Sequence, residues 1–193
     1  MNHRALTGTA ALLSALLLGA TPPLSAQRQT AAPGSARAVA QRTLAAFAAR
    51  NPDAFAREVS PQDLATFRAQ LLPGVQKAMS GEQRAQAAAM FAPAKSYAEI
   101  EKLPAERLFA LYLGAVMKRV ASAGPLQVSN TILGDVAEGD SLVHTVYRQR
   151  VRSGSSTANT VSILTLRRTP GGWKVVLEAA QLGMGGPQGT AAR

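Results

Sequence analysis

The stretch SLVHTVYRQRVRSGSSTANTVSILTLRRTPGGWKVVLE, Ser141–Glu178, decides the fold. Three runs within it, Ser141–Val151, Ala158–Arg168 and Trp173–Glu178, are rich in Val, Ile, Thr and Leu, the composition of β-strands. Between them lie Ser153-Gly154-Ser155-Ser156 and Thr169-Pro170-Gly171-Gly172, turn-forming segments of hairpin length. A fourth run, Leu126–Val136, precedes them across Glu138-Gly139-Asp140. Strands joined by such short connections are antiparallel neighbours, because a parallel crossover needs about a dozen residues or more. The expected sheet is a four-stranded meander. Trp173, Val175 and Leu177 alternate towards one face, the expected core side. Val161 and Ile163 alternate with Leu164 and Leu166, so the third strand is apolar on both faces. Its second face is expected to be partly covered, by a tail or a second subunit.

Upstream, from Ala36 to Ala123, the pattern is helical. Val39, Thr43, Leu44, Phe47 and Ala48 share one face of a first helix, which Asn51-Pro52-Asp53 stops. Ala54–Val59 forms a short turn of helix. Ser60 suits an N-cap, Pro61 the first helical position and Asp63 the first turn. Leu64, Phe67, Leu71 and Leu72 continue the apolar stripe until Pro73-Gly74, which is expected to break or kink it. Ser80 with Gln83, and Ser96 with Glu99, match the capping-box spacing. Pro104–Val120 is apolar nearly all round and is expected to be central. Helices followed by an antiparallel sheet make an α+β domain, with N-terminal helices packed on a curved four-stranded sheet, over residues 36–180.

Before this domain, Met1–Arg4 is short and basic. Ala5–Ala20 is uncharged and carries Leu12, Leu13, Leu16, Leu17 and Leu18, and Leu24-Ser25-Ala26 ends on a small residue. This is the three-part pattern of a secretory signal peptide over residues 1–26. The apolar run is short for a membrane span, which takes about 20 residues, and no stable span is expected after cleavage. Gln27–Ser35 reads as a disordered leader and residues 181–193, rich in glycine, as a flexible tail. The expected destination is outside the cytoplasm, periplasmic or secreted.

Composition removes several chemistries. The 193 residues include no cysteine, which excludes disulfides, thiolate metal sites and a cysteine nucleophile. Two histidines, His3 and His144, leave one in the mature chain. Removing residues 1–26 takes away one basic residue, Arg4, and no acid, leaving 20 basic against 11 acidic residues and a net charge of +9. No nucleophile-elbow or phosphate-loop motif occurs, and no cofactor is expected. The basic residues are dispersed and lack interleaved aromatics, so no nucleic-acid partner is expected.

Five residues stand out as candidate ligand contacts: Tyr112, His144, Tyr147, Arg148 and Arg150. His144 reads either as a general base or ligand group, or as a hydrogen-bonded sheet histidine. Period two puts His144 with Arg148 on one face and Tyr147 on the other. Arg148, Arg150 and Arg152 share a face, spaced about 6–7 Å apart by strand geometry. They suit an anion or an acidic surface, or else a solvated sheet face. Tyr112 lies on the apolar helix, where a buried hydroxyl needs a partner, a ligand or a backbone carbonyl. Asp135, Glu138 and Asp140 flank a turn without the regular spacing of a calcium loop, and no metal site is expected.

The run TLAAFAARNPDAF, Thr43–Phe55, resembles the opening helix, polar turn and second short helix of the NTF2-like (cystatin-like cone) superfamily. LVHTVYR at Leu142–Arg148, Val161–Arg167 and GWKVVL at Gly172–Leu177 are similar to its closing strands. The resemblance covers about residues 36–178 and implies a cone with a pocket between sheet and helices. Residues 83–120 add more helix than compact members need. The superfamily includes isomerases, dehydratases, cyclases and transport factors, so fold alone does not assign function. The isomerase members' set of an aspartate base with oxyanion-donating tyrosine and acid has no counterpart in the last two strands. The expected function is an exported, non-enzymatic binding domain for a small apolar or amphipathic ligand, a periplasmic lipid carrier for example, or for an envelope partner. The arginine face would hold an anionic head group. The alternatives are a small isomerase- or lyase-type enzyme and a homodimeric interaction module.

Overall fold

The computed structural model describes Ala32, residues 34–122, Gly124 and residues 126–177. All belong to the second of the two units into which the chain divides, residues 31–193. The expected signal peptide, most of the leader, the strand end at Glu178, the end of the domain at 179–180 and the tail lie outside the described residues.

Among the described residues, six helices precede four strands: α1 Ala36–Ala48, α2 Pro52–Glu58, α3 Pro61–Ser80, α4 Arg84–Met90, α5 Tyr97–Glu101 and α6 Ala105–Ser122, then β1 Leu126–Glu138, β2 Leu142–Ser153, β3 Ser156–Thr169 and β4 Gly172–Val175. The sheet order is β1-β2-β3-β4, each pair antiparallel, so the fold is α+β with a meander. Gly139, Gly154 and Gly172 have positive φ at the three turns, a conformation that side chains disfavour.

Caps set the helix boundaries. Ser35 Oγ accepts from the Ala38 amide at 3.2 Å and opens α1. Asn51 Oδ1 accepts from the Ala54 amide at 3.0 Å, and Pro52 occupies the first position of α2. Ser96 Oγ accepts from the Glu99 amide, while the Glu99 carboxylate reaches one residue past the cap and accepts from the Lys95 amide at 2.7 Å, so a variant of the capping box starts α5. The second expected capping box does not form. Ser80 is the last residue of α3, and its hydroxyl donates back to the Gln76 carbonyl.

Pro73-Gly74 does not end the helix either. α3 runs through both and on to Ser80. Proline in a helix interior costs about 3 kcal/mol and glycine about 1 kcal/mol relative to alanine. Burial of Val75, directly after them, and of Met79, about one turn later, holds the helix together across them. α6 differs from expectation as well. Only Leu108, Phe109 and Ala110 are buried, and Val116 and Val120 near its C-terminal end are exposed. Its apolar circumference is divided between a packed N-terminal half and cleft-lining residues beyond it.

Two packed groups result. Val39, Leu44, Leu64, Phe67, Phe109, Leu164, Leu166 and Val175 join the helices to one face of the sheet. Val75, Met79, Ala87, Phe91, Ile100 and Leu108 form a second group among the helices alone, and Leu71 and Tyr112 pack against both. Val59 bridges Val175, and the Ser60 amide donates to the Val175 carbonyl at 2.9 Å, which ties the α2–α3 junction to the last strand. Arg68 donates to the Glu101 and Leu103 carbonyls and ties α3 to the end of α5. No helix among the described residues is long and apolar enough to cross a membrane.

A β-bulge re-aims the first strand. Ile132 opposes Tyr147, yet Gly134 opposes Val146, so Leu133 is an extra residue. Strict alternation would place Val136 with Ile132 on the helix-covered face. Instead Asp135 and Ala137 occupy that face, opposite Thr145 and Val143, and Val136 turns outward, 58% exposed. The inward Asp135 accepts from the Thr145 hydroxyl at 2.6 Å and from Arg37 of α1 at 2.8 Å. Thr145 is fully buried, so this bond satisfies a hydroxyl that water does not reach.

Candidate functional site

α1, α2 and α6 do not fill the space they enclose against β2 and β3. A cavity of about 580 Å³ remains, within the range of small-ligand pockets. Leu44 and Phe47 of α1, Phe55 of α2, Phe109 and Leu113 of α6 and Leu164 of β3 give it an apolar lining, with Leu177 beyond β4. The phenyl rings adjoin one another, Phe47 to Phe55 at 6.4 Å and Phe55 to Phe109 at 6.1 Å between centroids. Thr43, Tyr147, Gln149 and Ser162 supply the polar groups. No carboxylate, histidine, lysine or arginine lines the cavity among the described residues.

Those polar groups are partly engaged within the fold. Thr43 donates to the Val39 carbonyl at 2.9 Å, one turn back in α1. Gln149 donates to Asn130 at 3.4 Å, and Asn130 in turn donates to the Leu44 carbonyl at 3.1 Å. Burial pushes the Tyr147 phenol above its ordinary pKa, and a hydrogen bond with Ser162 works in the opposite direction. The phenol is therefore neutral near pH 7. The cavity offers dipoles and hydrogen bonds without charge.

Tyr112 lies elsewhere. It lines a second cleft, of about 450 Å³, between α3, α4 and α6, with Leu71, Val75, Met90, Phe91 and Arg119. Phe67 separates the two spaces, its ring 5.1 Å from Phe109 and 5.3 Å from Tyr112.

His144, Arg148 and Arg150 lie on the opposite face of the sheet from Tyr147, as period two requires. His144 Nε2 is 2.9 Å from a Glu138 oxygen and its Nδ1 is 3.2 Å from the Thr165 hydroxyl. The histidine thus has two hydrogen-bond partners and no access to the cavity. Arg150 donates to Asn159 at 3.2 Å, and with Arg152, Gln127, Ser129 and Thr157 it borders a polar groove. The five candidate residues consequently fall into three places. The arginine face cannot hold the head group of a ligand buried under the helices, because the sheet stands between them.

The acids near the first hairpin are also divided. Asp135 points to the helices and Glu138 to the outer face beside His144. No grouping of acids and histidines able to hold a metal ion occurs among the described residues. Phe47, Leu113 and Gln149, which line the cavity, are not distinguished by sequence pattern. Each sits on an element whose burial is shared with ordinary core positions. Compared with known proteins, the chain matches no family model and shows no significant similarity to a curated protein.

Proposed function

We propose that the chain is an exported, non-enzymatic binding domain that holds a small, uncharged, mainly apolar ligand in the cavity between α1, α2, α6 and the sheet. The observation that carries this reading is the cavity itself: about 580 Å³, walled by three phenylalanines and four leucines, with hydrogen-bonding groups and no charged side chain among the described residues. Burying a charged head group there would be costly without a partner, whereas a hydroxyl or carbonyl could bond Tyr147 or Gln149. Helices closing one side of an antiparallel sheet over such a space support a relationship to the NTF2-like cone. The signal-like residues 1–26 support export to the periplasm or beyond. No acid or histidine reaches the cavity among the described residues, which argues against general acid–base chemistry there.

The test is native mass spectrometry of the protein purified from its own secretory compartment. A reproducible mass excess that is lost on denaturation, and is absent from a Leu113→Trp variant that remains folded, is expected. A bare monomer in both proteins would overturn the proposal. A second reading, a homodimeric or envelope-partner module, draws on the outer sheet face, where Val136, Val161 and Ile163 are more than half exposed beside Arg148. A bare dimer in the same spectrum would favour it.

A further inference from the structure

The cleft between α3, α4 and α6 is distinct from the cavity under the sheet and differs from it in charge. Its walls are mainly apolar, with Leu71 and Val75 of α3, Met90 of α4 and Phe91 beyond it, and Gln83, Gln86 and Tyr112 add polar groups. At its border stands Arg119 of α6, which forms no ion pair or side-chain hydrogen bond among the described residues. Gly74 forms part of the wall, and a Cβ placed there would meet no heavy atom within 4 Å. The cleft therefore stays open at a point where α3 carries the two residues least suited to a helix interior, Pro73 and Gly74. The glycine makes room for no neighbouring group of the protein. Burial of Val75 and Met79 carries the helix across the pair, but no packing contact requires the glycine itself, and a residue of poor local preference left at the wall of a cleft is the pattern of a functional site.

We propose that this cleft binds a single-chain anionic amphiphile, its hydrocarbon chain against Leu71, Val75, Met90 and Phe91 and its carboxylate on Arg119. The guanidinium presents paired donors in one plane, which matches a carboxylate. Hydrocarbon burial supplies most of the affinity, and the arginine selects the charged head over a neutral one.

The experiment uses the full chain and a fluorescent fatty-acid probe, 11-(dansylamino)undecanoic acid, beside its methyl ester. The acid is expected to bind more tightly than the ester. Arg119→Gln is expected to weaken the acid about tenfold and leave the ester unchanged, and Arg119→Lys to restore part of the loss. Gly74→Leu, which fills open space, is expected to abolish binding of both probes while the protein stays folded. Leu113→Trp, which fills the other cavity, is expected to change neither. Acid binding that survives both Arg119→Gln and Gly74→Leu would overturn the proposal. So would loss through Leu113→Trp with Gly74→Leu silent, which would assign the probe to the cavity under the sheet. Because Arg119 is exposed, its substitution reports on the head group even if the Gly74 variant does not fold.

Discussion

Tyr147 is half-buried on the helix-covered face of β2, and its raised pKa makes it a reporter of the cavity. Burial disfavours the phenolate, so the folded-state value lies above the unfolded one of about 10. The stability held by the neutral phenol is complete below the unfolded value and is lost as pH rises through the folded value. Above about pH 10 the protein is expected to lose thermal stability more steeply than a Tyr147→Phe variant. Melting temperatures of the two proteins across that range check it, and parallel curves would contradict the burial of this hydroxyl. His144 shows how far a single residue could be read. Which side chains share its face is legible from period two, which sets Arg148 with it and Tyr147 against it. Its partners were not, since Glu138 and Thr165 reach it only through the registers of two hairpins.

At the scale of elements, α3 holds the clearest conflict between local preference and outcome. Proline and glycine in succession predict a break or a kink, and the helix is not broken because Val75 and Met79 are buried beyond them. Gly74 is exposed, helical and without a neighbour at its Cβ position. Gly74→Ala is therefore expected to stabilise the protein by about 1 kcal/mol, the helix-propensity difference alone. Urea unfolding would show a higher midpoint with an unchanged slope. A lower midpoint would mean that the glycine meets a conformational need that its helical setting does not suggest. The strands were easier to foresee. Their turns lie within one or two residues of the expected Gly-rich segments, because hairpin chemistry is local. The bulge at Leu133 has no signature within its own strand, because an extra residue in a ladder shows only against its partner strand.

Across the whole molecule, Leu166 joins the layers. It is fully buried, opposes Val143 on one side and Val175 on the other, and belongs to the group that packs helices on sheet. Leu166→Ala is expected to cost about 2–5 kcal/mol, from lost burial and the cavity left behind. Denaturant unfolding followed by both tryptophan fluorescence and helical circular dichroism would show one coincident, earlier transition. Two separated transitions would mean that the helical group around Phe91 and Ile100 unfolds independently of the sheet. The outer face remains exposed at Val136, Val161 and Ile163, next to a row of arginines. The apolar third strand anticipated a second apolar face, and among the described residues no helix lies over it.

The amino-acid sequence by itself determined the α+β class, the order of elements, the meander and which side chains of β2 share a face. These follow from helix and strand periodicity, capping residues and short turns, all of which act within a few residues. Only the tertiary structure decided that α3 passes through Pro73-Gly74, that Asp135 turns inward while Val136 turns out, and that Tyr112, Tyr147 and the arginines belong to three separate places. It alone created the cavity under the sheet and the cleft between α3, α4 and α6. A cavity is volume that several elements fail to fill together, and residues such as Phe47, Leu113 and Gln149 meet around it only after the chain has packed.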